Sequence, residues 1–343
     1  MYKLNIIFKK HKFIFKIYFL IYIEYLKMKG AYLVFNVLFY LAVSCSASGQ
    51  IKQSLIIGRT TGSITTEDGQ QVRIFGFAGK LSDQLDLPGT TIYCREGDSI
   101  KIDFWNVSQG DPHDIKIRGV EVRKQNQRLA VDADKAIRHM EHGYYDFIAE
   151  RPGTYIYYSP VNYPFDIQAG MFGILIIEPK QEKDPYYEQI TSERLWCGFE
   201  IDTTWHTDSL LDEERGENQR LTENIEYHPQ YFFVNDKSNH RPGTTMALTA
   251  KQGEPVLIRL ANTGFMDHLI TFPKEIALKV ITKNADTTAV NLHSNTLLLK
   301  PMETWEILVR SNAVFDGFVT YTFEDERQGA AVCTHKIPIF ITK

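Results

Sequence analysis

The tetrapeptide His139-Met140-Glu141-His142 puts two imidazoles and a carboxylate within four residues, donors of the kind that hold a zinc ion. A zinc site needs further ligands held by fixed hydrogen bonds, and the competing reading is a pair of histidines that serve structure or face solvent. Lys116 and Arg118 stand two apart, so on a strand they share one face. Paired cations there suit a carboxylate, a phosphate or an acidic side chain of a partner; the competing reading is a solvated face or ion pairs that add little stability. No nucleophile elbow, phosphate loop or dinucleotide fingerprint accompanies them. Further donors lie in two segments. One runs His113-Asp114-Ile115-Lys116-Ile117-Arg118-Gly119. The other opens Arg151-Pro152-Gly153-Thr154-Tyr155, continues Ile156-Tyr157-Tyr158-Ser159-Pro160 and closes Asp166-Ile167-Gln168-Ala169-Gly170-Met171-Phe172-Gly173.

The elements that must position these groups read as short strands. Tyr and Phe are plentiful and β-branched residues recur in runs, which favours β structure. Gln71 to Phe77 alternates apolar and polar residues, and Ser99 to Asn106 does so again after the turn Arg95-Glu96-Gly97-Asp98. Tyr144 to Ile148 supplies another strand. Ile174-Leu175-Ile176-Ile177 lacks alternation, as a strand buried on both faces does. After the charged connector Gln181-Glu182-Lys183-Asp184-Pro185 the plan restarts with Arg194 to Glu200, a charged loop from Asp208 to Gln219, the aromatic segment Tyr231 to Lys237, and Lys251 to Asn262 with a second Gly-acid turn. The repeated succession predicts an all-β chain of two tandem Greek-key sandwiches, over residues 55–180 and 186–343.

The two donor segments together resemble the ligand loops of a cupredoxin domain, most closely the first domain of the two-domain copper nitrite reductases and their multicopper oxidase relatives. The resemblance extends over roughly residues 60–343 and implies two tandem cupredoxin-like domains. In that family a His, a Cys, a later His and a Met hold a type 1 copper, and those positions carry His113, Ser159, Asp166 and Met171 here. A blue copper requires the soft thiolate with two imidazoles and a long axial thioether. A hydroxyl and a hard carboxylate do not substitute, although the four residues could still offer one imidazole, one thioether and two oxygens to a borderline metal. The competing reading is a core His bonded to Asp114 or to a carbonyl, and a Met filling a gap. The type 2 copper would use positions held by Arg118 and Tyr158, and an always-protonated guanidinium repels a divalent cation. Lys116 falls where the family has a catalytic-pocket aspartate.

In the second half, Ala261-Asn262-Thr263-Gly264-Phe265-Met266-Asp267-His268 resembles the family segment whose histidine assists proton transfer over the type 2 copper, so His268 keeps that place. The family's third type 2 histidine falls on or near Glu324. The degenerate positions are thus His113, Lys116, Arg118, Tyr158, Ser159, Asp166, Met171, His268 and Glu324, with no catalytic or metal-ligand residue assigned. The resulting expectation is a protein without cofactor that acts by binding an unidentified ligand or protein, or by assembly. The alternative is a copper-binding oxidoreductase with unconventional ligands. The family's trimers imply a homotrimer, with Glu324 facing Arg118 and Lys116 across the subunit boundary.

Residues 1–48 read as a leader. Met28 is the probable start of a secretory signal: Lys29, an apolar run from Ala31 to Val43, then Ser44-Cys45-Ser46-Ala47-Ser48. The apolar run is shorter than the roughly 20 residues a membrane span needs. Export to the periplasm or outer membrane follows, with Cys45 as the attachment point if the leader is that of a lipoprotein. Removing 1–48 takes away seven lysines and one glutamate, leaving a net charge near −10 and little affinity for nucleic acid. Of Cys94, Cys197 and Cys333, the last two could pair, or all three serve as small buried groups.

Overall fold

The computed structural model describes residues 51–343 apart from 82–83, 109–111, 127–135, 181–186, 188–189, 208–225, 236–245, 288–294, 326 and 328. The leader, the connector 181–185 and the charged loop 208–219 lie outside the described residues. Alternation does set the strands. β4 covers Ser99–Asn106, with Ile100, Ile102 and Phe104 turned inward and Lys101 and Asp103 outward. It pairs in parallel with β1 (Ile51–Thr65) and antiparallel with β7 (His142–Ile148). With β2 (Gln71–Ala78) and β6 (Arg123–Asn126) they form one sheet in the order β2-β1-β4-β7-β6. The facing sheet is β3-β9-β8-β5, from β3 (Gly89–Arg95), β5 (Lys116–Ile117), β8 (Gly153–Tyr158) and β9 (Phe172–Glu178).

The second half repeats this wiring. One sheet runs β11-β10-β13-β17-β15, using β10 (Ser192–Ile201), β11 (Tyr231–Val234), β13 (Val256–Asn262), β15 (Ile276–Lys283) and β17 (Thr304–Ser311). The other runs β12-β19-β18-β14-β16, using β12 (Leu248–Lys251), β14 (Asp267–Thr271), β16 (Thr296–Leu299), β18 (Phe315–Asp325) and β19 (Ala330–Thr342). The parallel contacts β1 with β4 and β3 with β9 recur as β10 with β13 and β12 with β19. Parallel neighbours distant in sequence, with antiparallel ladders elsewhere, give the cupredoxin-like sandwich predicted from the sequence.

A third apolar layer binds the halves into one compact unit over Ile51–Lys343. Along β9, Leu175 and Ile177 enter the first sandwich core while Phe172, Ile174 and Ile176 face the other way. Those three meet Cys197, Phe199 and Ile201 of β10, together with Phe233 and Ala261. That is why β9 shows no alternation: both of its faces are interior. A polar cluster closes one side of the layer. Arg259 pairs with Glu306 and with Glu193, while Thr154 of the first half donates to Glu306 at 2.8 Å and accepts from Arg259 at 3.3 Å.

Two expectations need correction. The first strand begins at Ile51, before residue 55, because β1 runs the length of β4. Cys197 and Cys333 form no disulfide. Cys197 lies in the layer between the halves, and Cys333 stands on the opposite sheet of the second sandwich. Two packed sheets separate by about 10 Å, beyond disulfide reach.

Because the middle layer belongs to both halves, the protein is expected to unfold in one calorimetric transition, and Phe172→Ala to cost about 3–5 kcal/mol. Two separate transitions, with Phe172→Ala moving neither, would show that the halves fold independently.

Candidate functional site

The first cluster is built by backbone before side chains. At the end of β4, Asn106 accepts from the Ser108 amide at 2.9 Å and donates to the Ile137 carbonyl at 2.8 Å. Ile137 exchanges two backbone hydrogen bonds with His113, at 2.9 and 2.7 Å. After β8, the Ser159 amide donates to Met171 at 3.1 Å, and the short helix Phe165–Ala169 turns Asp166 into the interior. His113, Ser159, Asp166 and Met171 are all buried. Oδ2 of Asp166 accepts from Ser159 Oγ at 2.6 Å and from His113 Nδ1 at 3.2 Å. Among the described residues, His113 Nε2 has no hydrogen-bond partner. The order is hydroxyl, carboxylate, imidazole. A nucleophilic triad requires the imidazole in the middle, and this cluster is sealed from solvent as well, so it activates no serine.

Asp114 is not the partner of His113. Successive residues of an extended segment point to opposite sides, and the Asp114 carboxylate instead takes Lys124 at 3.1 Å and the Tyr145 hydroxyl at 2.5 Å. Lys116 and Tyr158 are opposite each other in the β5–β8 ladder. Lys116 and Arg118 are exposed while Ile117 between them is buried, so the two cations share the outer side. The Arg118 guanidinium donates to the Met302 carbonyl of the second half, and Tyr158 packs on the layer between the halves. Arg118 and Tyr158 are therefore both engaged in holding the halves together.

His268 of β14 is fully buried. Its Nδ1 takes the Tyr321 hydroxyl at 2.9 Å, which leaves the proton on Nε2, 3.6 Å from Glu200 Oε2. The other oxygen of Glu200 accepts from Tyr227 and Met266, both at 3.0 Å, and from the Phe265 amide. The segment Asn262 to Met266 closes over this carboxylate because Asn262 bonds the Gly264 amide and the Met266 carbonyl. A Cβ on Gly264 would lie 2.0 Å from Glu200 Oε2, and one on Gly198 would lie 2.3 Å from the Tyr321 hydroxyl, so both positions need glycine. Gln168, two residues after Asp166, donates to Tyr227 at 3.0 Å and to the Glu200 carbonyl at 2.9 Å, joining this network to the first half. Burial lowers the pKa of His268 and of His206, whose Nε2 contacts Gln168 at 3.3 Å. Burial also raises Tyr227 and Tyr321 well above an ordinary phenol.

Glu324 is half-buried on β18, paired with Asp267 across the ladder. Sequence reasoning missed Glu200, Tyr227, Gln168 and Tyr321. A signal existed for Glu200, a lone carboxylate in the otherwise apolar Trp196 to Ile201. His139 and His142 do not converge: His139 bonds the Ser108 carbonyl, and His142 contacts Asp103 at 3.0 Å and stacks on Trp105. Among the described residues, no group of three or more His, Cys, Asp or Glu is placed to hold a metal ion, and no helix is long and apolar enough to cross a membrane.

The sheet topology and the position of these loops define a cupredoxin-like protein. The Multicopper oxidase family model matches residues 60–182. The copper-containing nitrite reductase of Neisseria meningitidis serogroup B is 25% identical over 206 residues, 59% of this chain and 47% of that one. The match thus spans about half the length of that curated relative. Among solved structures, the multicopper oxidase mgLAC superposes with a TM-score of 0.62 at 22% identity, covering 85% of this chain and 86% of that one. The copper nitrite reductase of Nitrosomonas europaea gives 0.63 at 17% identity, covering 86% and 95%. The chain therefore resembles multicopper oxidases and copper nitrite reductases, and it shares their fold.

Two outcomes follow. Asp166→Ala leaves two buried donors without an acceptor and should cost about 2–4 kcal/mol in urea denaturation, against about 1 kcal/mol for Ser159→Ala. Equal losses would mean that Asp166 is not the centre of the cluster. His206, His268 and His335 are all depressed by burial, His335 to about 4, so the unfolded chain binds more protons below pH 6.5. Their contribution to stability is complete above pH 6.5 and declines as pH falls towards the folded values. The urea midpoint should drop over that range, and less steeply in His335→Gln than in wild type.

Proposed function

We propose that this is an exported cupredoxin-like protein that lacks the copper centres of its relatives and acts by binding or assembly. The observation carrying this reading is the hydrogen bonding of Asp166, whose Oδ2 is shared by Ser159 and His113. A type 1 copper needs a thiolate at the Ser159 position and an imidazole nitrogen turned to the metal from His113. Here the thiolate is missing, and His113 Nδ1 is directed to a carboxylate. The donors do not fit the metal. At the other centre a guanidinium and a phenol occupy ligand positions, and both contribute to the contact between the halves. The binding role is supported by the outer face of the β12-β19-β18-β14-β16 sheet, where Phe318, Phe340 and Leu298 are exposed on the same side. Clustered exposed apolar side chains mark interaction surfaces.

One observation favours the rival reading, a copper oxidoreductase with unconventional ligands: His113 Nε2 is buried and, among the described residues, has no hydrogen-bond partner. Recombinant protein exposed to Cu(II) and dialysed separates the two. No intense visible band is expected from wild type, whereas Ser159→Cys with Asp166→His should turn blue. Stoichiometric copper retained by the dialysed wild-type protein and lost in His113→Ala would overturn the proposal in favour of its rival.

A further inference from the structure

A second pair of metal-ligating side chains lies on β19, outside the loops described above. Cys333 and His335 are two apart and so share a face of the strand, opposite Phe323 and Tyr321 of β18. The ladder slips by one residue between Phe323 and Glu324, so a β-bulge at Val332 immediately precedes Cys333. Bulges of this kind re-aim the neighbouring side chain. The Cys333 thiol is in no disulfide, and its Sγ lies 3.9 Å from His335 Nε2. His335 is only 3% exposed, with the Phe323 ring at 5.5 Å.

We propose that Cys333 and His335 form a binding site for one thiophilic, closed-shell monovalent cation, of the class of Cu(I) and Ag(I), with Sγ and Nε2 as its protein ligands. A thiolate selects soft ions, and a set of two donors suits an ion that accepts two-coordination. With metal–sulfur and metal–nitrogen bonds of about 2.3 and 2.0 Å, the donors stand about 3.5 Å apart at a tetrahedral angle and about 4.3 Å apart in a straight line. The observed 3.9 Å falls between these, so an ion enters a bent site without moving the strand. Binding forms the sulfur–metal bond, breaks the S–H bond and releases the thiol proton to solvent. The carboxylate of Glu67, in the turn between β1 and β2, acts electrostatically on both groups and favours the added positive charge. Cys94 and Cys197 are buried in the apolar cores, whereas Cys333 is partly exposed.

This site goes beyond the function proposed above and stands or falls separately, because a closed-shell ion adds no visible band. The test uses the intact protein under anaerobic conditions, competing for Cu(I) against the coloured bicinchoninate complex. Wild type should withdraw one equivalent, Cys333→Ser none, and His335→Gln less tightly bound metal. As a measurement that requires no variant, iodoacetamide should alkylate Cys333 of the native protein, read by peptide mapping so that Cys45 of the leader is scored separately, and Ag(I) should protect it. Failure of wild type to withdraw Cu(I), equal withdrawal by folded Cys333→Ser, or alkylation of Cys333 unaffected by Ag(I) would each overturn the assignment.

Discussion

Burial of β8, β9 and β10 on both faces is the constraint on which the molecule depends. A sandwich alone needs one apolar face per strand, and the outer face is free to be polar. Here the outer faces of those strands are the inner faces of a third layer, built from Phe172, Ile174, Ile176, Phe199 and Ile201. Once that layer closes, polar groups beside it lose water and must find partners within the protein. Arg259 and Glu306 do so at one side, with Thr154 of the first half between them. Glu200, Tyr227 and Gln168 do so at the other. Both networks draw donors from each half, so the apolar layer fixes their geometry and they in turn fix its register.

The two halves share one polar device as well as one topology. Asn106 ends β4 and Asn262 ends β13, and each ties the following loop with its side-chain amide. A buried imidazole follows in both cases, His113 in the first half and His268 in the second, and each faces a buried carboxylate. The partners differ in origin. Asp166 reaches His113 from a short helix of the same sandwich, whereas Glu200 reaches His268 from β10, the strand that borders the layer between the halves. Asp166 obtains two hydrogen-bond donors, and Glu200 obtains two backbone amides and a phenol. Charge-assisted bonds of this kind are among the stronger ones a core contains.

Much of the fold was legible because alternation is a local signal. Ser99–Asn106 emerged with the bounds read from the sequence, and the missing alternation of Ile174 to Ile177 announced two buried faces. β1 escaped notice because Gly58, Gly62 and the polar run Arg59-Thr60-Thr61 interrupt its pattern, and its length is set by pairing with β4 and β2. The site was less legible, since its partners are distant in sequence. Nothing near His113 distinguishes Asp166 from the adjacent Asp114; the choice is made by strand pleat and by a helix fifty residues away. Resemblance to the copper proteins brought His113, Ser159, Asp166 and Met171 into one set, and the fold does gather them in the interior.

Arg118 binds the Met302 carbonyl and Tyr158 joins the apolar layer, so both residues act on the contact between the halves of one chain. Ser159 follows Tyr158 directly, and alternation sends the two side chains to opposite faces of the chain. Tyr158 therefore faces the second half while Ser159 faces Asp166. Gln168 lies two residues beyond Asp166 on the same short helix and reaches across to Tyr227 and Glu200. Arg118 thus ties the halves directly, whereas Ser159 and Asp166 lie in the first sandwich and meet the second half through Gln168 of the same helix.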